Sequence, residues 1–131
     1  MESKPKIDAA TVLEFVGKAH GDFERVRELL ELEPALANAC VDWGGGDWES
    51  ALGAAAHMGR RDIALHLLAS GARGDLFAAA MLGHLSIVRA IVEEYPAVAG
   101  SCGPHGIPLI AHAQAGGDEA KAVVEYLKSK M

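Results

Sequence analysis

This chain has few aromatic residues: they make up 5% of it, and two of them are tryptophan. With so few large side chains, burial has to come mainly from aliphatic residues. No apolar run approaches the roughly 18 to 20 residues needed to cross a bilayer, which excludes a spanning helix. There is no excess of basic charge either. The net charge of −6 would repel nucleic-acid phosphates, so neither nucleic acid nor membrane is expected as a partner. Cysteine is scarce, and Cys40 and Cys102 fall in loops of different segments. The first residues, MESKPK, carry no apolar signal core. Both thiols are therefore expected to be free, and the expected location is cytoplasmic.

What the chain does have is repetition. The stretch DWESALGAAAHMGRRDIALHLLASGA, Asp47 to Ala72, reads as a short Ala-rich helix, a turn at Gly59, and a second helix with Ile63, Leu67 and Leu68 on one apolar stripe. A lone helical pair cannot bury such a stripe, so copies are expected beside it. They are visible around Gly21, Gly83 and Gly116, where each turn is followed by an apolar set: Val26/Leu29/Leu30, Ile87/Ile91/Val92 and Val123/Val124/Leu127. Leu52, Leu76 and Leu109 each precede a turn by seven residues. The intervals between Gly21, Gly59, Gly83 and Gly116 are 38, 24 and 33 residues.

A period near 33 built from helix-turn-helix units resembles the ankyrin repeat. GIPLIAHA, from Gly106 to Ala113, is similar to the family's G-T-P-L-H-x-A-A signature, and the second unit closes on LLxxGA at Leu67 to Ala72. The resemblance covers Ile7 to Lys130. It implies an all-α solenoid: a flexible N-terminus over 1–6, then a single domain over 7–131 with units near 8–40, 41–72, 73–100 and 101–131. The finger between the first two units, CVDWGGGDWES, is long and rich in glycine and tryptophan. The next finger is missing, because only Arg73, Gly74 and Asp75 separate Ala72 from Leu76. A stack lacking its middle finger is expected to have a notch on its concave side, with the Trp finger on one flank and SCGPHG, Ser101 to Gly106, on the other.

In ankyrin proteins a partner is held by the finger tips and by the two residues before each Gly turn. Carried onto this chain, these are Trp43, Asp47 and Trp48 on the finger, His57 and Met58, Met81 and Leu82, and His105 on the last finger. Aromatic, Met and imidazole side chains suit a binding face better than a solvated one. His112 stands where the repeat has a small Ala, and it is expected either to be buried and neutral or to face the notch. The expected function is binding of a protein partner on the concave face and finger tips. The alternative is a small-molecule site, or acid-base chemistry in which His57 or His105 pairs with Asp47 or Glu49 beside a Trp wall.

No catalytic nucleophile and no cofactor are expected. His57, His105 and His112, with Asp42, Asp47 and Glu49 as oxygen donors, were the residues to weigh for a metal. No two of them have the spacing of a dedicated site, and Pro108 separates His105 from His112, so no metal is expected. His84 is expected to brace its turn, Arg60 and Arg61 to be solvated or to hold an anion, and His20 and His66 to lie on exposed helix positions without a role.

Overall fold

A computed structural model describes residues 4–131, so the first half of the expected flexible terminus, residues 1–3, lies outside the described residues. Among those described, eight α-helices form four hairpins. These are α1 (Ala9–Lys18) with α2 (Phe23–Leu32), α3 (Ala51–His57) with α4 (Arg61–Ala69), α5 (Leu76–Leu82) with α6 (Leu85–Glu94), and α7 (Leu109–Ala115) with α8 (Lys121–Ser129). The expectation of an all-helical chain needs one addition. The Gly-Trp finger is a small antiparallel hairpin of β1 (Cys40–Asp42) and β2 (Trp48–Ser50), in the register Cys40 to Ser50 and Asp42 to Trp48.

Local chemistry explains where the helices begin. Asp8, Asp22, Ser50 and Asp75 each accept a bond from a backbone N–H three residues on, so four helices start on side-chain caps. Asp8 caps α1, and Glu14 pairs with Arg25 on α2 at 2.9 Å. The helix α2 stops one residue short of Glu33-Pro34, as a following proline dictates.

The first helices of the hairpins lie side by side: α3 packs on α1 and α5, α5 packs on α7, and α3 also reaches α7. Alanine makes this closeness possible, since Ala51, Ala54, Ala55 and Ala56 are fully buried on α3. At the helix ends the approach is closer still. A Cβ on Gly116 would run into the carbonyl oxygen of Met81, and one on Gly83 into that of Glu119, so both positions need the bare backbone. The apolar faces merge into two adjoining clusters. Phe15, Val16, Leu52, Ile63, Leu67 and Met81 anchor the first, and Val88, Leu109, Val123 and Leu127 the second.

The short link between α4 and α5 does leave open space, though not where the sequence suggested. It is an apolar groove of about 380 Å³ lined by Leu68, Ala78, Leu82, Ile87 and Ile91. The Trp finger and the Pro104 loop do not flank a gap. They touch each other.

Candidate functional site

The contact between finger and loop is built around Glu49. Alternation along β2 turns Trp48 outward and Glu49 inward, and Glu49 is wholly buried while Trp48 is 62% exposed. Three glycines in the left-handed region, Gly44, Gly45 and Gly46, form the finger's tip, and the Asp42 carboxylate accepts from the N–H groups of Gly44 and Gly46. That tight tip brings Trp43 back over the hairpin. Its indole Nε1–H donates to Glu49 Oε1 at 2.9 Å.

Three imidazoles from three other parts of the chain meet the same carboxylate. His20 follows α1 and places Nε2 3.0 Å from Glu49 Oε1. His57, the last residue of α3, and His105, in the loop before α7, place theirs 2.9 and 3.1 Å from Oε2. Ring centroids of His20 and His57 are 5.1 Å apart, and those of His57 and His105 5.3 Å. One donor atom from each of His20, Glu49, His57 and His105 lies within 4.8 Å of every other.

The far nitrogens of two rings are fixed. His20 Nδ1 lies 3.0 Å from the carbonyl oxygens of both Val16 and Gly17 in the last turn of α1. A carbonyl only accepts, so Nδ1 carries the proton. His105 Nδ1 is 2.6 Å from Asp47 Oδ2, while Asp47 Oδ1 accepts the His105 backbone N–H at 2.7 Å. Held by this clamp, His105 is the single non-glycine among the described residues at positive φ, at 62°. In their neutral forms both rings therefore turn a bare Nε2 lone pair toward a buried carboxylate.

The electrostatics follow the exposure. Burial pushes the His57 imidazole below its ordinary pKa against the attraction of Glu49. The hydrogen bond to Asp47 raises that of His105, and the His105 backbone N–H lowers that of Asp47. Burial also lowers the pKa of His112.

The sequence-derived residues are thus divided. Trp43, Asp47, His57 and His105 belong to the centre, and Glu49, weighed only as an oxygen donor or acid-base partner, is its middle. Trp48 and Met58 are exposed beside it, at 62% and 51%. Met81 and Leu82 are corrected: at 1% and 2% exposed they are core residues, and Leu82 also lines the apolar groove at α5. His112 is buried, donates Nδ1–H to the Pro108 carbonyl at 2.9 Å, and packs on Phe77. It stands behind His57, with ring centroids 6.5 Å apart, and its Nε2 has no partner.

His20 is the second correction, since it is not an idle surface residue but one of the four groups at the centre. His66 packs on Phe23, and His84 caps α6 by its backbone position alone. Arg60 and Arg61 are ties between hairpins. Arg60 donates to the Gly21 carbonyl at 2.6 Å, and Arg61 bonds the Leu82 carbonyl and pairs with Glu119. Cys40 and Cys102 are free and exposed.

No known protein family matches the chain, and neither a curated protein nor a solved structure does. No helix among the described residues is long and apolar enough to cross a membrane.

Proposed function

We propose that this chain is an ankyrin-type stack that binds a small, electron-poor ligand at the Glu49 centre. Support for the stack comes from the four hairpins, their first helices laid side by side, and the close-packed Gly turns. The ligand reading is carried by one observation: a wholly buried carboxylate ringed by three imidazoles and an indole N–H. Removing a carboxylate from water costs several kcal/mol even after relaxation. A face that only grips a protein gains nothing from that cost, because its polar groups serve best at a wet rim. A centre that offers nitrogen and oxygen electron pairs to a small ligand does use it.

A protein-binding role is the second reading, favoured by the exposed Trp48, Met58 and Trp43, which are rigid or adaptable apolar anchors around the same centre. Thermal shift separates the two. Wild type, Glu49→Gln and Trp48→Ala are melted with cell extract split at a cut-off of roughly one kilodalton. Ligand at a hundred times its dissociation constant adds about 2.7 kcal/mol, a shift of several degrees. The ligand reading expects a rise with the small fraction that Glu49→Gln abolishes. A response confined to the large fraction and lost in Trp48→Ala would overturn it in favour of the protein partner.

A further inference from the structure

We propose that the ligand of the Glu49 centre is a divalent transition-metal ion of the zinc class, held by His20 Nε2, His57 Nε2, His105 Nε2 and Glu49. This inference rests on the ligand reading above and names the ligand's chemistry.

The first support is the donor set. Imidazole nitrogen with one carboxylate oxygen suits zinc and its neighbours in the first transition row, and suits magnesium and calcium poorly. The second is size. Bonds of about 2.0 to 2.1 Å give edges of roughly 2.8 to 3.0 Å in an octahedral shell and roughly 3.3 to 3.4 Å in a tetrahedral one. The three Nε2 atoms lie 3.0, 2.9 and 3.1 Å from the Glu49 oxygens, close to such an edge.

The third support is the outer shell. A metal-bound histidine donates its other N–H to a carbonyl or carboxylate, which fixes the ring and its tautomer. His20 does so to the carbonyls of Val16 and Gly17, and His105 to Asp47. In their neutral forms both rings then point an unprotonated nitrogen at the Glu49 carboxylate, and lone pairs facing one another at 3.0 and 3.1 Å repel. A shared cation turns that repulsion into four bonds, whereas protons would have to charge the rings.

The four residues are 29, 8 and 48 positions apart in order along the chain, so the centre exists only once the hairpins have stacked. Glu49 and His57 close its inner side, with side chains 0% and 10% exposed. His20 and His105 form its more exposed side at 27% and 34%.

The test is a cobalt titration of the full chain after chelator treatment. One equivalent of Co²⁺ is expected to bring up a visible d–d band, which one equivalent of Zn²⁺ removes. His20→Asn and His105→Asn alter only the partly exposed members, so they are expected to keep the native far-ultraviolet circular dichroism. Each should weaken Zn²⁺ binding by about a hundredfold or more, the upper range for even an outer-shell loss. Absence of a stoichiometric Co²⁺ band overturns the proposal. So does Zn²⁺ affinity unchanged in both folded variants, which would place the ion on other histidines or on Cys40 and Cys102.

The metal proposal fails separately from the ligand reading. A small-fraction thermal shift that survives in chelated protein lacking Co²⁺ binding refutes the metal and keeps a small ligand. A stoichiometric metal without any other small-molecule response makes the metal itself the sole ligand.

Discussion

Asp47 holds His105 by two of its atoms, taking the backbone N–H on Oδ1 at 2.7 Å and the ring Nδ1–H on Oδ2 at 2.6 Å, across 58 residues of chain. This clamp joins the Trp finger to the loop before α7 and keeps His105 at a backbone angle that most side chains avoid. Asp47→Asn retains one acceptor and loses the charge and the second. Amide exchange over Gly103 to Ile107 should then quicken while exchange in α3 and α5 stays as it was. Metal affinity should fall by about 10- to 100-fold, the usual effect of an outer-shell loss. Uniform exchange across the chain with unchanged affinity would mean the clamp does not organise the site.

The two tryptophans have unequal tasks. Trp43 gives Glu49 Oε1 a hydrogen bond, and Trp48 stands mostly in water. Trp43→Phe leaves a buried carboxylate oxygen one donor short, at about 1 to 3 kcal/mol. The melting temperature should drop by several degrees, whereas Trp48→Phe should leave it within about a degree. Equal effects would contradict the assignment.

Gly116 adopts an ordinary helical angle, φ −74°, so alanine there meets no backbone strain. Its Cβ would meet the Met81 carbonyl and the Ala120 side chain. Gly116→Ala should therefore destabilise by about 1 to 3 kcal/mol through overpacking alone. Gly17→Ala serves as the control, because nothing lies within 4 Å of its added carbon. A stable Gly116→Ala variant would show that α5 and α7 pack more loosely than described.

His112 provides the pH dependence. Burial lowers its folded pKa, so below about 6.5 the unfolded chain takes up a proton that the folded chain refuses. Stability should fall as pH drops from about 6.5 towards the folded value, by up to about 1.4 kcal/mol per pH unit for this one group. His112→Asn keeps a donor for the Pro108 carbonyl and removes the titration. Denaturant unfolding at pH 7.5 and 5.5 should show a smaller difference in the variant. An identical difference would assign the proton to another residue.

Much of the fold was legible in the sequence because glycine turns and aliphatic stripes are local signals. The hairpins followed from Gly59, Gly83 and their followers. The centre was only half legible, since its members meet through stacking and not through spacing. Spacing along the chain does not reveal His20, Glu49, His57 and His105 as a group, and Pro108 interrupts a helix face that the centre does not use. One signal was available. The two residues before the Gly turn are His57 and Met58 at Gly59 and Met81 and Leu82 at Gly83, and the same rule at Gly21 selects Ala19 and His20. Met81 and Leu82 failed that rule because both are buried in the first cluster with Leu52, Ile63 and Leu67.

The most direct test of the Glu49 centre is an anomalous difference map at the zinc edge, from crystals of the full chain grown with one equivalent of zinc. The account predicts one strong peak bonded at about 2.0 to 2.2 Å to Nε2 of His20, His57 and His105 and to a Glu49 oxygen. No peak among these four side chains, or one at Cys40, Cys102 or His66 alone, would contradict it.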